Sequence, residues 1–442
     1  MNLFLMNIMV ELPYWKHLHS KIRWLAVYCI FIILLGISCS RKSSEIWIHN
    51  ESSLASSGQF TEDDFRTGFI PCYQVDEYIP DHSREYLVRP RKIRIVYHIM
   101  NSEDSLHNFS EKDASGFIWM MEQDAMRYLR ENEKMNLPEG NNTPVLPAAI
   151  SYARMDGDQY SNGYFFHYDD ELYFFINKGM HRNNHRLDVI RKYNVGGDSI
   201  LNIFVMPHHP DSIISTSYHA YSAGIALGNN IKLAGIYENG GQPWMYATLF
   251  NHEVGHVLGL RHSWMHNDGC EDTPPHANCF QQSPDPPCNG IISNNMMDYN
   301  NSQKAITPCQ LGIMHRALSD VSSRQRSFLV KDWCEADTTF TIIITKAEEW
   351  KGNKDLVHNI IIEEGGSLTL HCRLAMARDT WIVVKPGGAL ILKGARLHND
   401  CGETWKGIQI QNEGKKSGLV LYDSQTKVEN VRSTVENYVF RK

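Results

Sequence analysis

His252-Glu253-Val254-Gly255-His256-Val257-Leu258-Gly259-Leu260-Arg261-His262 carries residue types able to do chemistry, at a spacing that lets them act together. On a helix of about 3.6 residues per turn, His252 and His256 stand one turn apart and project from one face. Glu253 is rotated off that line, so it can reach a water beside a metal without ligating the metal. Gly259 is free to take a positive φ, which ends a helix and turns the chain back, bringing His262 in as a third ligand. Three neutral imidazoles leave one tetrahedral position open, the arrangement of a catalytic rather than a structural zinc. The chemistry implied is hydrolysis: the cation polarises a carbonyl and acidifies water, and Glu253 takes the proton and passes it to the leaving group. The competing reading is a metal-free relic of such a site, but a relic has no physical need for Glu253.

About thirty residues further on stands Asn295-Met296-Met297-Asp298-Tyr299. Taken alone, its methionines read as core filler and its tyrosine as a core anchor. Together with the histidines, it resembles the metzincins, zinc peptidases in which a "Met-turn" floors the metal site. The resemblance puts the floor at Met297, since Met296 is out of register with the tyrosine. It makes Tyr299 a candidate second donor to the developing oxyanion. His262-Ser263-Trp264, Gly269-Cys270, Asp272-Thr273-Pro274, Cys279, Cys288 and Thr307-Pro308-Cys309-Gln310 narrow the likeness to the pappalysin group, over roughly residues 92–320. That implies a zinc endopeptidase with an α+β catalytic domain: a mixed twisted sheet, a backing helix, an active-site helix and the Met-turn. Calcium is a trait of the group, and Asp268, Glu271, Asp272 and Thr273 offer hard oxygen ligands, with Asp272 and Thr273 the expected pair. Some members select a basic residue through a carboxylate just beyond the Met-turn tyrosine. Asn300-Asn301-Ser302-Gln303 has no acid there, so a polar or an apolar pocket is expected equally.

The elements that must position these residues are partly legible. By the same resemblance, thinner here, Lys92–Ile99 and Leu201–Met206 look like the central strands of the upper sheet. Ser110-Glu111-Lys112-Asp113 is a capping-box-like start to a helix reaching about Glu131, with Phe117, Met121, Tyr128 and Leu129 available for packing. Ser222–Leu227 and Lys232–Ile236 read as short strands, one of them an antiparallel edge along the cleft, against which an extended substrate could add itself. Gly240-Gly241-Gln242-Pro243 opens the helix that carries the motif, and Thr307 and Pro308 are the N-cap and first residue of the next. Tyr164–Arg191, rich in aromatic residues, Asn and His, gives no clear element.

After about residue 340 the texture changes. Glu364-Gly365-Gly366-Ser367-Leu368-Thr369-Leu370 returns twenty-two residues later as Pro386-Gly387-Gly388-Ala389-Leu390-Ile391-Leu392, each copy preceded by a β-branched run. Trp350-Lys351-Gly352 and Trp405-Lys406-Gly407 echo one another. Such a period fits coils of a parallel β-helix; two similar hairpins of a β-sandwich are the alternative. The chain stops after few coils, so an incomplete repeat array is expected.

The 442 residues suffice for two or three domains, and a formal net charge of −7 with no basic cluster in the catalytic half argues against nucleic acid as partner. Trp24 to Ile37 is an apolar run behind Lys16, Lys21 and Arg23, too short for a comfortable span and suited to a signal peptide. It ends in Leu35-Gly36-Ile37-Ser38-Cys39, which resembles a bacterial lipobox and implies an envelope or outer-membrane lipoprotein held to the membrane by Cys39; a soluble secreted protein is the alternative. Cys72, Cys270, Cys279, Cys288, Cys309, Cys334, Cys372 and Cys401 remain, an even set that suggests disulfides in an exported chain. A second zinc held by cysteines would call for a Cys-x-x-Cys pair, which the sequence lacks. Cys72 could alternatively cap the zinc of a latent enzyme.

The expected division is a signal peptide over 1–39, a tether or pro-segment over 40–91, the catalytic domain over 92–322, a linker over 323–341 and a β-repeat domain over 342–442. The expected partner is a protein or peptide substrate. An adhesion or glycan-binding protein with an inactive scaffold is the rival from another class, and a zinc amidase acting on cell-wall peptides is a third reading.

Overall fold

The structure is a computed structural model and describes residues 43–50, 72–104, 108–217, 220–238, 240–276, 279–286, 288–299 and 302–432. The apolar leader and Cys39 lie outside the described residues.

β2 (Arg91–Asn101) is the spine of the first half. Its run of β-branched and aromatic residues is buried on both faces, as a central parallel strand requires. β3 (Ile150–Arg154) and then β4 (Tyr164–Tyr168) lie beside it in succession on one flank. β5 (Leu201–Met206), β7 (Asn230–Ala234) and β6 (Ala223–Leu227) follow on the other, giving the order β3-β2-β5-β7-β6. All pairings are parallel except β6 with β7, so the sheet ends in an antiparallel edge.

Two helices cover one face. α1 (Glu111–Arg130) starts where Ser110 accepts a hydrogen bond from the Asp113 N–H, and buries Ala114, Ile118, Met121, Ala125 and Leu129. α2 (Pro243–Val257) begins with proline in its first turn and is buried along most of its length. Ile93, Ile95, Tyr97 and Ile99 of β2 meet these helices in one apolar core. The opposite face, with Met100, Phe204 and Met206, is roofed by Leu172, Phe175, Val189 and Ile190. That is the fold of the stretch for which no element was expected. α3 (Pro308–Ser319) opens on a capping box: Thr307 accepts from the Gln310 N–H while the Gln310 side chain accepts from the Thr307 N–H.

The second half is all β. β8 (Thr341–Ile344), β9 (Ala347–Trp350) and β10 (Lys354–Leu356) form a first rung. Next come β11 (Asn359–Ile362), β12 (Ser367–Leu370) and β13 (Arg373–Met376). β14 (Trp381–Val384), β15 (Ala389–Leu392) and β16 (Arg396–His398) make the third. β17 (Gly407–Glu413), β19 (Leu419–Tyr422) and β20 (Lys427–Val428) make the fourth, with β18 (Lys416–Ser417) a short hairpin return on β17. Equivalent strands pair in parallel, giving three sheets. Ile342, Ile360, Ile382 and Ile408 stack in register inside, as do Leu368, Leu390 and Val420. The Gly-Gly signature has a steric cause. A Cβ on Gly366, Gly388 or Gly418 would stand 2.2–2.7 Å from a carbonyl oxygen of the preceding rung. The tryptophan echo is not a register repeat: Trp350 ends β9 in one sheet, whereas Trp405 precedes β17 in another.

Two stretches expected to be connectors are structured. Within 40–91, β1 (Ser43–Ile48) pairs antiparallel with β17, and Cys72 is bonded to Cys372. Cys72 therefore offers no thiolate for a latency switch. Within 323–341, Phe328, Leu329 and Trp333 are buried in the first core, and Val330 N–H donates to the Lys92 carbonyl of β2. The two halves meet at buried Asp355, which lies within 2.6–3.0 Å of guanidinium nitrogens of Arg91, Arg326 and Arg373. These arginines hold its carboxyl well below the usual range against the opposing effect of burial. The other disulfides among the described residues are Cys270–Cys309, Cys279–Cys288 and Cys334–Cys401.

Candidate metal centre

α2 carries His252 and His256 one turn apart, and its orientation is fixed by the residue just before the motif. Asn251 is buried, donates to the Ala125 carbonyl of α1 at 2.9 Å and accepts from the Tyr152 hydroxyl of β3 at 2.7 Å. The helix ends at Val257, Gly259 takes φ +97°, and the chain returns His262 toward the helix. The Nε2 atom of His256 then stands 3.1 Å from that of His252 and 3.0 Å from that of His262. Among the described residues these three form a group whose ligand atoms are close enough to share one ion.

The other ring nitrogens set the tautomers. Nδ1 of His252 lies 2.8 Å from the Met296 carbonyl, and Nδ1 of His256 lies 2.9 Å from the Leu260 carbonyl. A carbonyl only accepts, so both Nδ1 atoms carry the proton and both Nε2 atoms turn a lone pair inward. Burial pushes His252 down to about 3 and His262 to about 4, and the neighbouring imidazole of His256 adds to both shifts. The lone pairs that His252 and His256 turn inward, 3.1 Å apart, repel unless a cation lies between them, and His262 Nε2 stands 3.0 Å from that of His256. Nitrogen–zinc bonds of about 2.0–2.1 Å set a tetrahedral edge of about 3.3 Å, close to the spacing found here. The donor set fits a zinc ion.

Glu253 is buried beneath the edge strand. The Ala226 N–H of β6 donates to its carboxylate, yet desolvation dominates and pushes its pKa up to about 8 in the metal-free protein. The fit is close: a Cβ on Gly224 would stand 2.5 Å from Cγ and Oε1 of Glu253. A dication beside the group would draw this pKa back down.

The Asn295–Tyr299 turn passes under the histidines. Met296 and Met297 are both buried, and a Cβ on Gly255 would lie 2.6 Å from the Met297 sulfur and 3.0 Å from the Met296 methyl. Both methionines thus press on the helix, with Met297 the nearer. Asn295 and Gln310 exchange amide hydrogen bonds of 2.9 and 3.0 Å, tying the turn to the start of α3. Tyr299 is 54% exposed, its ring centroid 4.9 Å from that of His262 and 5.8 Å from that of His252.

Asp272 and Thr273, expected as calcium ligands, make protein contacts instead. The two Asp272 oxygens accept from the Thr307 hydroxyl and the Cys309 N–H, capping α3, while Thr273 donates to Asp268.

Asp298, to which the motif alone assigns no role, has one in the fold. Its carboxylate is fully buried, accepts from Ser263 at 2.5 Å and from Ser293, and has His276 Nε2 3.2 Å away. It thereby joins the His262 loop, the approach to the turn and the loop before Cys279. A buried acid inside an apolar Met-Met-Asp-Tyr run was the available signal, because such a group needs partners from elsewhere. Gly224 and Asn251 carry no sequence signal of this kind.

No family model and no curated protein matches the chain. Solved structures similar to it include mirolysin in complex with compound 9, 18% identical, covering 55% of this chain and 97% of that one at a TM-score of 0.39. A mature mirolysin of Tannerella forsythia in complex with a cleaved peptide is 20% identical, covering 54% and 95% respectively at a TM-score of 0.37.

Proposed function

We propose that this chain is a zinc-dependent endopeptidase of the metzincin kind, nearest in its motifs to the pappalysin group. One observation carries the reading. The Nε2 atom of His256 lies 3.0–3.1 Å from those of His252 and His262, beside a buried glutamate that lies under the edge strand of the described sheet. His252, His256 and His262 would hold the zinc, which when bound supplies the positive charge that polarises a carbonyl and acidifies water.

The protein groups divide the remaining work. Glu253, with a single backbone donor and little solvent, takes a proton from water and delivers it to the leaving amine. Tyr299, on the rim beside His252 and His262, donates its hydroxyl hydrogen to the developing oxyanion. Met297 supports the ligand helix from below. An extended peptide would lie along β6 and take up main-chain hydrogen bonds on its free edge.

For the rest of the chain the reading is an exported protein, lipid-anchored at Cys39, with a C-terminal parallel β-helix. Four disulfides among the described residues support export, and the parallel rungs from Thr341 to Val428 support the β-helix. The catalytic domain, set at 92–322 from sequence, would also draw on 323–341. Removal of the metal with a chelator should abolish cleavage of a mixed fluorogenic peptide pool, and one equivalent of zinc should restore it. Cleavage that persists in metal-free protein would overturn the reading.

A further inference from the structure

Beside the three histidines stands a cluster of rings that the hydrolytic step does not explain. The His262 ring lies flat on Trp264, with centroids 4.1 Å apart and an interplanar angle of 12°. Trp264 meets Phe280 at 5.1 Å and Tyr299 at 4.6 Å, and Phe280 meets Tyr299 edge-on at 5.4 Å. Trp264 and Phe280 are only half-buried and Tyr299 is more exposed still, so this aromatic surface opens to solvent next to the reaction centre.

The surface is also braced. Phe280 follows Cys279, whose bond to Cys288 is buried against Leu137. His276 accepts from the Cys279 N–H through Nδ1, and its Nε2 stands 3.2 Å from the Asp298 carboxylate. These contacts hold the loop against the turn that carries Tyr299. Packing alone would not call for half-exposed rings at the mouth of a site, whereas a preformed apolar subsite does. Asp298 has its carboxylate spent on buried partners, and Asn300-Asn301-Ser302-Gln303 supplies no acid, so a basic side chain finds no counter-charge from either.

We propose that Trp264, Phe280 and Tyr299 form an aromatic platform that selects an apolar, preferably aromatic, side chain at a residue flanking the scissile bond. The proposal rests on the peptidase reading for its substrate but not for its recognition chemistry. Zinc-loaded full-length protein would be given peptides differing only at one flanking residue, Phe, Leu, Ala, Lys or Asp in turn. Wild type should cleave the Phe and Leu peptides with kcat/KM about ten-fold or more above the Lys and Asp peptides. Phe280→Ala should collapse the Phe-to-Ala ratio several-fold, and Phe280→Tyr should restore it.

Hydroxamates of phenylalanine and aspartate, titrated calorimetrically into the same proteins, read the preference without turnover. Tighter binding of the phenylalanine compound that Phe280→Ala removes supports the platform even if no peptide is cut, an outcome that would sink the peptidase reading alone. Cleavage with no apolar preference at either flanking position, or a ratio that Phe280→Ala leaves intact, overturns the platform.

Discussion

At the scale of single residues, Glu253 and Tyr299 have separable duties. Glu253→Gln keeps the volume and removes the base, so zinc content should stay near one equivalent while kcat falls by about 10²–10⁴-fold, a range typical of lost general-base catalysis. Metal analysis alongside steady-state kinetics checks both halves of that statement. Tyr299→Phe keeps the ring contacts with His262 and Trp264 and removes only the hydroxyl. Its kcat should fall about 10²–10³-fold with KM nearly constant, the pattern of a donor used only in the transition state. An equal rise in KM would instead make Tyr299 a binding residue. These residues were legible in the sequence because helix geometry alone relates His252, Glu253 and His256. Asp298 was not, since its partners Ser263, Ser293 and His276 come from separate stretches that only the fold assembles.

At the scale of elements, the edge strand and the ligand helix are set against each other at one close contact. Gly224 is extended and needs no special backbone angle; it is required because Glu253 fills the space where a Cβ would go. Gly224→Ala should therefore displace the carboxylate and cut kcat at least ten-fold by general-base loss, while circular dichroism and zinc content stay as in wild type. Unchanged turnover would show that β6 yields and that the contact does not position the base. The helix starts at Ser110, Pro243 and Thr307, and the turn at Gly259, could be read from local chemistry, and the strands β2 and β5 from their apolar runs. The pairing of β1 with β17 could not, because a six-residue polar-to-apolar strand names no partner until a sheet edge is available.

At the scale of the whole molecule, a buried carboxylate sits at the centre of the junction between the two halves, which the Cys334–Cys401 disulfide also ties. Asp355 on β10 faces Arg91 from β2, Arg326 from the connecting stretch and Arg373 from β13. Asp355→Ala removes the carboxylate shared by Arg91, Arg326 and Arg373, leaving Arg326 with Asp400, and should cost about 3–5 kcal/mol, measurable by chemical denaturation. The sign with pH follows from the direction of the shift. A carboxyl held below its unfolded value stabilises fully above about pH 4 and loses that contribution only as pH falls further, through the folded value. The gap between wild type and Asp355→Ala should therefore be constant near neutrality and narrow only in acid. The repeat texture of the second half was legible through its Gly-Gly turns, in which the first glycine takes a positive φ and the second is required by the carbonyl of the rung before. The junction was not, since a single aspartate and three scattered arginines carry no pattern.

The most direct test of zinc-dependent peptide hydrolysis compares zinc-loaded wild type with Glu253→Gln on a broad peptide library, with metal content determined for each. One zinc in both proteins and cleavage by wild type alone is the predicted result. Equal cleavage by both, or zinc bound by neither, would contradict it.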